Sequence, residues 1–367
     1  MTTNEIEGCR LRQQRLLKLM DEHRLDWVIV QQTEHVQYFT GPHFAPVFSP
    51  FAAISAAGRV VLVGPEKRIP KNTAADEVVS YVARQHSTMR NDQRQAASEI
   101  LAQQIGASIS SNSRIGVEFS SFSRHLPWDV EYVDVEPDLY RMRRRKDADE
   151  LAKLLRAIAA TGKMYERARE ILQPGLCELD MFNELQSVAV RELGEPLTGT
   201  GNDYQCNSRG GSPRRRDAQA GELYILDLGP AYRGYFADNA RTLAVTDPTP
   251  VQLEAWEHVT QIFAHVEATV RPGVSAQQLF HSAQEMLDRA PVGVFNHHLG
   301  HGIGMFPHEA PHLNPFWDDT FAVGDVFTAE PGLYAPELNA GLRLENDYLV
   351  TENGVRRLTE FPLELKL

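Results

Sequence analysis

The sequence predicts an α/β N-terminal domain over residues 1–140, followed over 141–367 by an α+β domain with two pseudo-symmetric halves. The chain has 367 residues, too many for one small domain and natural for two. Helix and strand signals alternate through the first 140 residues. Beyond them, one pattern of helix, Pro-Gly stop, helix, strand and carboxylate occurs twice.

In the first domain, Leu11, Leu16, Leu19 and Met20 recur at helical spacing between about Ile6 and His23. The apolar run Trp27-Val28-Ile29-Val30 reads as a strand. Ala52–Ser55 and Val60–Val63, separated by a turn containing Gly58, read as a hairpin. A helix near Gln95–Gln104 and a strand near Arg114–Val117 complete the α/β unit, which ends around Tyr140. The basic run from Arg141 to Lys146 marks the junction and reads as a solvated linker and helix start.

The second domain opens with a helix over about Ala148–Leu172, with Leu151, Leu154, Leu155 and Ile158 on one stripe. It stops at Pro174-Gly175. A helix over Glu178–Leu193 follows. Helix Val251–Val270, then Pro272-Gly273, then a helix opened by Ser275 and Gln278 at the spacing of a capping box echo this arrangement. Each half then carries a Gly, an adjacent acidic residue, an apolar strand and a carboxylate six positions after the Gly. These are Gly221-Glu222 leading to Asp227, and Gly324-Asp325 leading to Glu330. Each half supplies one more carboxylate, Asp238 and Glu345. Two related halves facing one another let four carboxylates converge.

Composition narrows the function classes. The chain is 42% hydrophobic and 23% charged, an ordinary globular balance. Net charge is −12, from 37 basic and 49 acidic residues, which argues against nucleic acid as a partner. The first residues have neither a basic nor an apolar signal region, and no apolar run reaches bilayer length. Cys9, Cys177 and Cys206 are scattered and fit reduced thiols, so the expected location is cytoplasmic, without membrane association.

The chemistry concentrates in a few residues. Asp227 ends an apolar strand, and Asp238 lies eleven residues on, beyond a turn at Arg233-Gly234. A hairpin brings such a pair to one spot. Glu330 follows Val326-Phe327-Thr328-Ala329, where a buried ionised carboxylate must be paired, metal-bound or neutralised. Glu345 precedes the strand around Tyr348. His301 sits in Gly300-His301-Gly302-Ile303-Gly304, whose glycines allow close backbone approach. His297, His298, His308 and His312 lie nearby. Four carboxylates and an imidazole suit a pair of divalent cations, Mn²⁺ first, with Co²⁺, Zn²⁺ or Fe²⁺ as alternatives. Such a pair activates water and polarises a carbonyl.

These segments resemble a known family. Ile225-Leu226-Asp227-Leu228-Gly229, Gly234-Tyr235-Phe236-Ala237-Asp238, Gly300–Gly304, His308-Glu309-Ala310-Pro311, Ala329-Glu330-Pro331-Gly332 and Arg343-Leu344-Glu345 occur in this order. They are similar to the signature of the pita-bread metallopeptidases, which include Xaa-Pro dipeptidase (prolidase), aminopeptidase P, methionine aminopeptidase and the metal-free creatinase. Arg15–Pro42, with Leu25-Asp26-Trp27 and Tyr38-Phe39-Thr40-Gly41, resembles the creatinase/prolidase N-terminal domain. The resemblance implies a pita-bread catalytic domain hydrolysing an amide bond, typically before proline, in a small peptide. It implies that Asp227 holds one metal, that Asp238 and Glu345 bridge, and that His301 and Glu330 complete the second site. Glu330 also takes the proton of the attacking water, His308 contacts the substrate, and Arg343 and His297 support the shell. A homodimer is implied as well.

The sequence departs from the family at two places. A histidine usual seventeen residues before the first aspartate is missing, with Gly210 nearest that place in Ser208-Arg209-Gly210-Gly211-Ser212-Pro213. The threonine usual two residues after the second aspartate is Ala240. An arginine, Arg209 or one of Arg214–Arg216, is a candidate to grip a substrate carboxylate in a bidentate pair. The alternatives are a specialised small-molecule hydrolase or lyase on the same metal site, and a non-catalytic binding protein on a peptidase fold.

Overall fold

The computed structural model describes residues 1–121, 126–201 and 203–366. The chain divides into two compact units, Met1–Met142 and Arg143–Leu367. Among the described residues no helix is long and apolar enough to cross a membrane.

The first unit begins with α1 (Thr3–His23), where Thr2 and Glu5 cap each other's backbone N–H groups. Then come β1 (Trp27–Val30), α2 (Thr33–Thr40), β2 (Phe51–Ser55), β3 (Val60–Pro65), β4 (Glu77–Tyr81) and the short hairpin β5 (Arg84–Gln85) and β6 (Thr88–Met89). After α3 (Gln93–Ile105), β7 (Arg114–Val117), β8 (Glu131–Asp134) and α4 (Glu136–Arg144) follow. The main sheet has the order β4-β3-β2-β1-β7-β8, antiparallel at β1–β2 and β2–β3 and parallel at the other pairs. Strands β1, β2 and β3 are buried on both faces, which explains their unbroken apolar runs.

The second unit shows the expected duplication. Helices α5 (Ala148–Ile171) and α6 (Glu178–Leu193) precede β9 (Asp203–Cys206), β10 (Leu223–Leu228), β11 (Ala231–Tyr232), β12 (Tyr235–Phe236) and β13 (Asn239–Ala244). Helices α7 (Pro250–Thr269) and α8 (Ala276–Leu287) precede β14 (Gly300–Gly302), β15 (Glu309–Leu313), β16 (Val326–Ala329), β17 (Gly332–Leu333), β18 (Leu342–Arg343), β19 (Asn346–Thr351) and β20 (Gly354–Arg357). One half builds the sheet β13-β10-β9, the other β15-β14-β16-β19-β20.

The echo is physical down to single hydrogen bonds. Gly175 N–H donates to the Ala218 carbonyl at 2.8 Å, and Gly273 N–H donates to that of Phe321 at 2.7 Å. Each acceptor stands three residues before the Gly that opens the strand. Glu222 accepts from Gln219 N–H, and Asp325 accepts from Ala322 N–H. Each of these carboxylates also meets an arginine, Arg216 or Arg144. The Ser275 cap is half formed: its hydroxyl accepts Gln278 N–H, without the reciprocal bond.

One expectation is overturned. The basic run is not a solvated linker throughout, because Arg143 and Lys146 are buried. Both pair with Glu309, Lys146 Nζ at 2.8 Å. A buried carboxylate needs such countercharge, and burying Arg and Lys needs the carboxylate in turn.

Candidate metal centre

Strand pairing brings the distant carboxylates together. In the β10–β13 pair Asp227 lies opposite Ala240, so the turn through β11 and β12 returns Asp238, just before β13, beside Asp227. In the β16–β19 pair Ala329 lies opposite Asn346, which sets Glu330 and Glu345 next to one another at the strand ends. The halves are then stitched together. Glu345 N–H donates to the Ala240 carbonyl at 2.9 Å, and Arg343 N–H donates to Thr242 Oγ1 at 3.0 Å.

The result is one cluster. Ligating atoms of Asp227, Asp238 and Glu345 lie within 4.8 Å of one another, as do those of His301, Glu330 and Glu345. Glu345 belongs to both groups. All five side chains are buried. Among the described residues, Asp227 Oδ1 and both carboxylate oxygens of Glu345 accept no hydrogen bond, a costly condition for buried acceptors unless a cation takes them up.

The electrostatics agree. Burial, then the charges of Asp227 and Glu330, pushes the Asp238 carboxyl well above its ordinary value. Burial, then Asp238 and Asp227, does the same to Glu345. Glu330 is raised to about 8 by burial, with Arg343 partly opposing and Asp227 adding to the rise. His301 is held well below its usual value by burial and by His308. Protein groups alone therefore leave the cluster short of positive charge. Four carboxylates with one neutral imidazole fit two divalent cations in both charge and donor type. The His301 ring is oriented as a ligand. Its Nδ1 lies 3.0 Å from the Gly302 carbonyl, so Nδ1 carries the proton and Nε2 faces Asp238 and Glu330 with its lone pair. Gly302 is required by close approach, since a Cβ there would lie 2.1 Å from the Ala310 carbonyl oxygen.

The cluster lies in the wall of a cavity of about 350 Å³, and His297, His308, Arg209 and Arg343 line it as well. His308 stacks on His301 with ring centroids 3.8 Å apart. His297 Nε2 lies 3.0 Å from the Tyr334 hydroxyl. Arg343 bonds Asp227 Oδ2 at 2.8 Å. Arg209 places its guanidinium 4.2 Å from the Tyr334 ring centroid.

Arg214, by contrast, is not at the cavity. Its guanidinium bonds both oxygens of buried Glu178, at 2.6 and 3.0 Å, because that carboxylate has to be compensated. Arg216 is likewise spent on Glu222.

Two wall residues, Asp203 and Tyr334, have no place in the sequence pattern, and His298 stands there only as one of a run of histidines without a role. Asp203 lies opposite Asp227 in the β9–β10 register and bonds Arg343. Asp203 also fills the space beside Gly210, where an added Cβ would fall 2.1 Å from Asp203 Oδ2. His298 Nε2 lies 3.2 Å from Glu330 Oε1. The crowding of histidines between 297 and 312 was the available signal for His298. For Asp203 the only signal was an acidic residue at the start of a short strand.

A basin of buried carboxylates open to a small cavity is the equipment of a metal-dependent hydrolase. Residues 152–352, more than half the chain, match the model of metallopeptidase family M24, and residues 12–145 match that of the creatinase/prolidase N-terminal domain. The chain belongs to metallopeptidase family M24. An uncharacterised peptidase of Staphylococcus epidermidis is 30% identical over 63% of this chain, a match spanning 66% of that relative. An Xaa-Pro dipeptidase of Pyrococcus horikoshii is 25% identical over 96% of this chain and 97% of its own length. The solved structure of an Xaa-Pro dipeptidase from Bacillus anthracis superposes with a TM-score of 0.81 at 22% identity, covering 98% of this chain and all (100%) of that one. The fold is thus a creatinase/prolidase-type α/β domain followed by a pita-bread domain.

Proposed function

We propose that this chain hydrolyses an amide bond in small peptides, with Xaa-Pro dipeptides or Xaa-Pro aminopeptidase substrates as the first candidates. The observation that carries this reading is the meeting of Asp227, Asp238, His301, Glu330 and Glu345 in one cavity wall, where Asp227 Oδ1 and both Glu345 oxygens accept no hydrogen bond among the described residues. Asp227 would hold one divalent cation, Asp238 and Glu345 would be shared, and His301 and Glu330 would complete the second position. When bound, the cation pair, with Mn²⁺ the first candidate, supplies an activated water and a Lewis acid for the scissile carbonyl.

The other roles fall to the chain's own groups. Glu330 accepts the proton of the attacking water and returns it to the departing amine, a role open to a buried carboxylate in the cavity wall. His308, on the cavity wall beside His301, donates a hydrogen bond to the substrate near the reacting bond. Arg209, anchored over Tyr334, offers a guanidinium to a substrate carboxylate. Arg343 is occupied by Asp203 and Asp227 and orients the latter. By family resemblance the working form would be a homodimer, and the three scattered free thiols fit a cytoplasmic location.

A second reading, a specialised hydrolase or lyase of another small molecule, is favoured by Asp203 filling the space beside Gly210. A panel of Xaa-Pro dipeptides, longer Xaa-Pro peptides and other amides, tested with Mn²⁺, separates the two. Turnover of Xaa-Pro bonds that Asp238→Ala abolishes supports the first. Turnover of other amides alone supports the second, and full turnover by Asp238→Ala contradicts both.

A further inference from the structure

Beside the metal cavity lies a second one of about 430 Å³, whose outer wall is made by Phe280, Pro315, Phe316 and Trp317. The two adjoin along a shared wall: His297, His298, His301 and His308 line both. Phe316 is 84% exposed and Trp317 50%, an unusual cost for two adjacent large apolar side chains.

The wall is held in place. Trp317 stacks on His312 with centroids 4.8 Å apart. His312 is fixed by Asp319, whose Oδ2 lies 2.7 Å from Nδ1 and accepts the His312 backbone N–H at 2.8 Å. Gln277, on α8, donates to the Pro315 carbonyl at 2.6 Å, and Asn314 Oδ1 accepts Phe316 N–H at 2.9 Å. Exposed aromatics anchored on a rigid loop are suited to receiving a ligand.

Charge indicates which part of a ligand enters. Arg209 lines the metal cavity, and its guanidinium bonds Asn296, a wall residue of the aromatic cavity. A carboxylate gripped by Arg209 therefore sits at the junction of the two cavities. An apolar side chain on the same residue of the substrate would then have Phe316 and Trp317, in the adjoining cavity, to pack against.

We infer that the aromatic cavity is a subsite for the side chain of a C-terminal aromatic or large apolar amino acid whose carboxylate Arg209 holds. This rests on the hydrolase reading and narrows its substrate class: the leaving residue extends beyond proline to phenylalanine-like residues.

The test uses the full chain with Mn²⁺ and two readouts. Calorimetry compares N-acetyl-L-phenylalanine with N-acetyl-L-alanine, and turnover compares Ala-Phe, Ala-Ala and Ala-Pro. The phenylalanine ligand should bind about tenfold tighter or more, from the area a ring buries. Trp317→Ala should bring this ratio to within about threefold of parity and Trp317→Phe should largely restore it. Equal affinities in the wild type, or a preference that Trp317→Ala leaves intact, would overturn the subsite. A Trp317→Ala protein that changes oligomeric state while the wild type shows no ligand preference would assign the wall to self-association instead, which also overturns it. Preferential binding with no turnover of these dipeptides or of longer Xaa-Pro peptides contradicts the hydrolase reading and leaves the subsite standing. Turnover without preference contradicts the subsite alone.

Discussion

Arg343 is bonded to Asp227 on one side and to Asp203 on the other, so a candidate metal ligand is oriented by a guanidinium that a second carboxylate holds. Asp203 occupies the space beside Gly210, the residue nearest the position where the family resemblance implies a histidine. A side chain at 210 meets two obstacles, the Asp203 carboxylate and a φ of +144°. Gly210→Ala should therefore destabilise the protein by about 1–3 kcal/mol in chemical denaturation. Adding Asp203→Gly should recover part of that loss, since the clash goes and the backbone strain stays. Additive losses in the double variant would show that Asp203 does not fill the space.

Arg209 and Arg214 stand close in sequence and differ in role. Arg209→Ala should raise KM about tenfold for dipeptides with a free carboxylate and much less for their amides, through loss of a charge-assisted pair. Arg214→Ala should leave that discrimination intact and lower stability, because it strips buried Glu178 of its partner. Equal effects of Arg209→Ala on acids and amides would remove its proposed role.

Glu309 offers a pH signature. Burial pushes its carboxyl up, but Arg143 and Lys146 outweigh this and hold it at about 2. A depressed folded value means that the stabilisation is fully present above the unfolded value near 4.5 and is lost as pH falls toward 2. Its size is roughly 3 kcal/mol by linkage. The stability gap between wild type and Glu309→Gln should therefore be large at pH 7 and shrink between about pH 4.5 and 2. A gap independent of pH would contradict the ion-pair account.

Much of this architecture is legible in the sequence because it rests on local rules. The apolar runs of β1 and β10 are buried strands, and Pro-Gly ends both leading helices. The repeated Gly-acid-strand-carboxylate pattern marks two halves because each element serves the same backbone geometry twice. What was not legible depends on partners far along the chain. Arg143 and Lys146 read as a solvated run because Glu309, which buries them, is more than 160 residues away. Arg214 read as a substrate group for the same reason, with its partner Glu178 on another element. Asp203 acquires meaning only through its register opposite Asp227 and its bond to Arg343.

The measurement closest to the central claim is metal binding by the purified chain, read by elemental analysis and by thermal unfolding after chelation and reloading with Mn²⁺. The account predicts two ions per chain, a melting temperature that rises by several degrees on loading, and loss of both effects in Glu345→Ala, which removes the shared carboxylate. A wild-type protein that takes up no divalent ion, or a Glu345→Ala protein that binds two as tightly, would contradict it.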